Sequence, residues 1–171
     1  EQGLLGVVEL LLKDPRVSPE ANDNSAIKLA TQHDHVAVTH RLLADPRVSP
    51  NAENNIAIRK ASEEGHVGIV ELLLKDPRVN PEALDNCAIK KAAKKGHVKV
   101  VELLLKDPRV IPEAGDNYAI GKASEMGHVD VEKLLLKDRR VLPEADTIFA
   151  IGKSSEEGHV GIVELLLKDP R

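Results

Sequence analysis

The chain has 171 residues, a net charge of -4 and 42% apolar residues, which places it among soluble globular chains of about one domain and argues against disorder. Its longest apolar runs are leucine triplets in a charged setting, so no segment is long enough to span a membrane. Cys87 is the only cysteine, which rules out an internal disulfide framework and fits a cytoplasmic or otherwise intracellular, reducing compartment.

A block of 31 residues recurs in register from one end to the other, marked by Gly3, Asp34, Gly65, Gly96, Gly127 and Gly158. No insertion breaks it. The copies are 3–33, 34–64, 65–95, 96–126 and 127–157, with a partial copy at 158–171, and all of 1–171 is read as one repeat array. A fixed period of this length is the mark of a solenoid, in which each supersecondary unit stacks on its copy. With Tyr118 and Phe149 the only aromatic residues, Leu, Val, Ile and Ala must supply the buried surface.

The chain opens in an apolar helix, Leu5 to Leu12, and two helices per copy follow from there. The first is expected to begin after Asp23, Asn54, Asp85, Asp116 or Thr147, residue types whose side-chain oxygens can cap free helix amides. In the third copy it places Ala88, Ile89, Ala92 and Ala93 on one face, small residues that let a neighbouring helix come close. The glycine of each copy then stops the helix in the left-handed conformation. Asp34 is the exception, and should weaken the second copy locally by roughly 1 kcal/mol.

The second helix, as in Val98 to Lys106, is apolar on almost every side, with Lys99, Glu102 and Lys106 forming one narrow polar stripe. Glu-to-Lys pairs four apart recur along it at Glu9, Glu71, Glu102 and Glu164, each worth ~0.3 kcal/mol. Asp-Pro ends it, because proline disfavours the helical conformation in the residue before it. A second proline column, Pro19, Pro50, Pro81, Pro112 and Pro143, stiffens the connecting loop. The fold class read from these elements is all-α, a solenoid of helical hairpins.

The run from Asp85 to Leu105, with its Gly96-His97 and Val100-Val101-Glu102-Leu103-Leu104-Leu105 portions, resembles the ankyrin repeat, and the resemblance covers the whole chain. The Asp-Pro-Arg-Val and Asp-Asn-x-Ala-Ile motifs resemble repeats common in giant viruses and unicellular eukaryotes. Two departures accompany it. The unit is about two residues shorter than the usual 33 of an ankyrin repeat, so the connecting loops should be short and could lack the family's β-hairpin finger. Cys87-Ala88-Ile89-Lys90 also stands where the family's Thr-Pro-Leu-His would be. The resemblance implies a non-catalytic protein-protein interaction scaffold that holds a partner on the concave face formed by loops and first helices.

The residues themselves offer no catalytic or cofactor chemistry. His35, His66, His97, His128 and His159 form a ladder at repeat spacing, on the order of 10 Å, too wide for two imidazoles to share a zinc. A capping or hydrogen-bonding role is expected for them. His33 and His40 lack the spacing of four that makes a binding face with His35. Cys87 shares a column with Ser25, Ile56, Tyr118 and Phe149, which reads as a packing site at a repeat junction. No glycine-rich phosphate loop or carboxylate triad is present. The Asp-x-Arg ladder, as in Asp76 with Arg78 or Asp107 with Arg109, reads as exposed pairs making loop contacts between adjacent copies.

Positions that vary between copies are the candidates for recognition, because the recurring ones build the stack. The loop column includes Leu84 and Gly115, and the end of the first helix includes Glu125-Met126. Lys90, Lys91, Lys94, Lys95 and Lys99 form a basic island joined by Arg59, Lys60 and Lys122, with acidic pairs on both sides. The island is read as a dock for an acidic or phosphorylated protein segment. The alternative is a solvated helix face. Nucleic acid is a less favoured partner, since the chain is acidic overall and has almost no aromatic residues for stacking. Neither end reads as a polar cap, which points to an excerpt of a longer array or to self-association through the open ends.

Overall fold

The computed structural model describes residues 2–141 and 143–168, apart from the side chains of Gln2, Asp116 and residues 143–149. The expected caps at Asp116 and Thr147, the loop residue Asp146, the aromatic Phe149 and Pro170 therefore lie outside the described residues. The chain divides into two compact units, Glu1–Pro81 and Glu82–Arg171, with the boundary inside the third copy.

Unit 1 holds α1 (Gln2–Lys13), α2 (Ala21–Gln32), α3 (Val36–Leu43), α4 (Ala52–Glu64) and α5 (Val67–Lys75). Unit 2 holds α6 (Ala83–Lys95), α7 (Val98–Lys106), α8 (Ala114–Glu125), α9 (Val129–Lys137), α10 (Pro143–Glu156) and α11 (Val160–Lys168). In each unit first helices pack on first helices and second helices on second helices. In unit 1, α2 meets α4 while α1, α3 and α5 follow one another; in unit 2, α6, α8 and α10 form one row and α7, α9 and α11 the other. The protein is an all-α helical repeat. No strand occurs among the described residues, so the short loops carry no β-finger there. No described helix is long and apolar enough to cross a membrane.

The alternation of small and branched residues gives the close packing that the sequence requires. Ala88, Ile89, Ala92 and Ala93 are at most 1% exposed, and Val100, Val101 and Leu104 close the same core from the second helix. Tyr118 takes no part in it, being 41% exposed. Lys99, Glu102 and Lys106 lie on the solvent stripe, with the Lys106 ammonium 2.9 Å from the Glu102 carboxylate. Equivalent pairs join Glu71 to Lys75 and Glu164 to Lys168. Helix ends follow the glycine column: Gly65, Gly96, Gly127 and Gly158 have φ between 75° and 79°, and Asp34 takes the same conformation at φ 55°.

The start of the first helix differs from the sequence expectation. The helices open at Ala21, Ala52 and Ala83 without a side-chain cap bond, leave the right-handed conformation at once, and resume it only after Asn24, Asn55 and Asn86, one residue beyond the expected start. Asp23, Asn54 and Asp85 instead sit in the middle of three successive left-handed residues, such as Leu84, Asp85 and Asn86 at φ 52°, 57° and 57°. The physical reason is shared: Asn and Asp hydrogen-bond locally, which suits both caps and the left-handed region. Pro143 likewise belongs to α10 and not to a loop. Its position there uses the fixed φ and missing N–H that helix starts tolerate.

The last residue of each left-handed triplet does the joining. Asn24, Asn55 and Asn86 are at most 7% exposed, and each Oδ1 accepts a 2.7 Å bond from the backbone N–H of Ser49, Asn80 or Ile111 in the next loop. The Asp-x-Arg ladder is the second joint, and it is partly buried where the sequence suggested exposure. The Arg47 guanidinium forks onto Asp45 while its Nη1 and Nη2 donate to the carbonyls of Val17 and Leu12. Arg78 repeats this toward Val48 and Leu43, and Arg140 toward Val110 and Leu105. The Arg47 hydrogen bonds hold the Asp45 carboxyl down at about 2, against burial that acts the other way.

Two substitutions test these assignments by urea unfolding. Replacing Asn86 by glycine keeps the left-handed backbone but strands the Ile111 N–H, and should cost about 1–3 kcal/mol; alanine should cost about 1 kcal/mol more, because it resists that conformation. Asp34→Gly should stabilise the chain by up to about 1 kcal/mol, and a lower urea midpoint would contradict the strain at that turn.

Candidate functional site

The basic island begins on α6, in unit 2. Column by column, three other first helices carry a lysine followed three residues later by glutamate, and α2 carries Leu29 and Gln32 there. Lys60 reaches Glu63 at 2.9 Å, Lys122 pairs with Glu125, and Lys153 reaches Glu156 at 2.6 Å. In the third copy that glutamate is Lys94. Lys95 stands where other copies have His33, Glu64, Met126 and Glu157, and Lys99 where they have Ala37, Gly68, Asp130 and Gly161. All three are exposed. Among the described residues none of their ammonium groups is in hydrogen-bond or ion-pair contact. Lys94 and Lys95 close the third copy and Lys99 stands near the start of the fourth, so the charge reversal sits at one copy boundary.

The other residues expected in the site divide differently. Lys90 is engaged by the Asp85 carboxylate. In unit 1 its counterpart Lys28 instead reaches Glu53 in the next loop, and the residue equivalent to Glu53 for Lys90 is Gly115. A Cβ on Gly115 would lie 2.5 Å from the Lys90 Nζ and 3.0 Å from the Asp85 carboxylate. The glycine removes one carboxylate partner and makes room for another. Lys91 is half-buried on the same helix. Leu84 and Met126 are 55% and 43% exposed, apolar neighbours in sequence to this polar surface.

Lys122 is neutralised by Glu125, whose carboxyl is held below its ordinary value first by that hydrogen bond and then by the charges of Lys122, Lys153 and Lys94, against burial. Arg59 and Lys60 lie in unit 1 and do not read as free cations. The Arg59 guanidinium donates to the carbonyls of Asn54 and Glu53 at 2.9 Å each, bracing the left-handed turn, and Lys60 has its glutamate.

Sequence reasoning passed over Tyr118 by placing it in a packing column. The Lys90 and Lys122 ammonium groups both stand 5.7 Å from its ring centroid. A cation over an exposed aromatic face gains about 0.5–1 kcal/mol. The ring thereby links the two neutralised lysines and presents a broad apolar edge. The signal was present in the column itself, where Tyr118 and Phe149 replace Ser25, Ile56 and Cys87.

The histidine column has the hydrogen-bonding role expected of it. The Nε2 atoms of His66, His128 and His159 lie 3.0–3.1 Å from the carbonyls of Gln32, Lys94 and Glu125, each at the end of a first helix 34 residues back. Among the described residues no three His, Cys, Asp or Glu side chains converge on a point that could hold a metal ion. The His33 and His35 rings lie with centroids 6.1 Å apart.

Because Glu63, Glu125 and Glu156 stand in the Lys94 column, Lys94→Glu should leave the fold intact. Its urea midpoint should match the parent within about 0.5 kcal/mol, and a larger loss would give Lys94 a structural role. In comparison with known proteins, the chain matches no protein-family model and no curated protein.

Proposed function

We propose that this protein is a non-catalytic interaction scaffold of the ankyrin-like type, which holds an acidic or phosphorylated segment of a partner protein on Lys94, Lys95 and Lys99. The observation that carries the reading is the charge reversal at one copy boundary. In three other copies a glutamate answers the lysine three residues before it, the first copy has Leu29 and Gln32 there, and here the answering residue is itself a lysine. Cations with no hydrogen-bond or ion-pair contact among the described residues are the groups that gain most from an external carboxylate or phosphate. Leu84, Tyr118 and Met126 supply exposed apolar surface in the same unit, which suits a segment carrying apolar residues beside its acidic ones.

A labelled acidic peptide, with and without phosphoserine, titrated by fluorescence anisotropy at low and at physiological salt, tests the reading. Binding should weaken as salt rises and fall at least tenfold in the triple variant Lys94→Glu, Lys95→Glu, Lys99→Asp, whose residues all occur in sister copies. Equal binding by the triple variant would overturn it. A mixed-sequence RNA that shifts with the parent and competes with the peptide would move the assignment to nucleic acid.

A second reading, self-association, is supported by a different observation. Val7 and Leu11 on α1 are 54% and 48% exposed, while Val38 and Leu42, their counterparts on α3, are 4% and 2% exposed. Light scattering over a dilution series that shows a concentration-dependent mass would favour this reading, and a constant monomer mass would remove it.

A further inference from the structure

One core column changes character in the fifth copy. Val70 and Val101 of the earlier copies are replaced there by Glu132, on α9, which is as fully buried as they are at 0% exposure. Its Oε1 lies 3.1 Å from the Ser124 Oγ, and that Oγ lies 2.9 Å from the Ile120 carbonyl. Its Oε2 has no partner among the described residues. A serine hydroxyl has one proton to donate, and a carbonyl can only accept. The Ser124 proton can therefore serve only one of the two oxygens at a time, the Ile120 carbonyl or the Glu132 carboxyl, and the carboxyl has no second donor among the described residues.

Among the described residues, the charged groups of the elements packed on α9 leave this carboxyl without a counter-ion. On α7, Lys99, Glu102 and Lys106 are exposed, and so are Glu164 and Lys168 on α11. On α8, Lys122 and Glu125 are paired with each other, and Tyr118 is exposed. On α9 itself Asp130, Lys133 and Lys137 are exposed, while His128, just before it, is bonded to the Lys94 carbonyl at 3.0 Å. Burial raises the Glu132 carboxyl to about 7 from an ordinary 4.5, with the Ser124 hydrogen bond opposing the rise.

We propose that Glu132 makes the α8–α9 hairpin a pH-sensitive joint, closed when its carboxyl is protonated and loosened when it ionises. The folded chain keeps the proton to a higher pH than the unfolded chain does. The contribution of this carboxyl to stability is therefore fully present below about 4.5, is lost as pH rises from there through about 7, and is gone above. Since His128 opens α9 and holds the Lys94 carbonyl, the loosening reaches the end of α6. The inference does not depend on what the island binds.

The test is thermal unfolding of the full chain by circular dichroism between pH 5 and 8.5, alongside Glu132→Gln and Glu132→Val. Relative to Glu132→Gln, the parent should lose roughly 5–10 °C of melting temperature across that window. Glu132→Val, which restores the column residue, should follow the glutamine variant's pH profile. Hydrogen exchange at pH 8, corrected for intrinsic rates, should show α8 and α9 less protected in the parent than in Glu132→Gln. Parallel melting profiles for the parent and the glutamine variant would overturn the proposal. That pair alone decides the matter should the valine variant fail to fold.

Discussion

Backbone amides and carbonyls stranded in the turns between stacked helices are the constraint on which this structure rests. A buried polar backbone group without a partner costs about as much as a lost hydrogen bond, and a loop with no strand has no ladder to supply one. Side chains supply it here. Arginine, held rigid by aspartate two residues before it, reaches back to two carbonyls of the previous copy. Asparagine reaches forward to one amide of the next loop. Histidine takes the carbonyl left open at the end of a first helix. The aliphatic core supplies the attraction between helices, and these three columns decide how the turns are held while it forms.

The same division separates structure from candidate function. Positions that serve the turns recur, and those free of that duty change from copy to copy. Lys94, Lys95 and Lys99 are of the second kind, with sister residues that are acidic, small or neutral. Gly115 shows how a change at one position redirects another: with no carboxylate in its place, Lys90 turns to Asp85. Charge in the third copy is thus partly absorbed next to the loop and left exposed toward the end of the helix.

Much of this was legible in the sequence. The period gave the repeat and its two helices. The apolar columns gave Ala88, Ile89, Ala92 and Ala93 as core, and the glycine column gave the helix ends, with Asp34 as the strained substitute. The left-handed triplets were not legible, because Asn and Asp satisfy a helix cap and a left-handed turn with the same chemistry. The Asn24, Asn55 and Asn86 column was hidden for a related reason: its partner is an amide, which leaves no residue-type signature. Of the site, the lysines were visible as a cluster. Only the distances separate Lys90 and Lys122, which are neutralised, from Lys94, Lys95 and Lys99, which are not. Tyr118 was misplaced because a column with Ile56 and Cys87 in it reads as interior, whereas the ring lies at the surface between two ammonium groups.

The side-chain joints have fixed reach. Asparagine bonds an amide 25 residues on, arginine bonds carbonyls 30 and 35 residues back, and histidine bonds one 34 residues back. The asparagine and arginine spans each cross one copy boundary, the histidine span from His66 to Gln32 crosses two, and they overlap along the chain. One extra residue in any connecting loop would shift several of them together, since no joint could relax without carrying the next. Lengthening or shortening by 31 residues would leave every span as it was. Such a chain can change its length only in whole copies, and these joints reach no further than 35 residues along it, so growth of the ordered region can proceed one hairpin at a time.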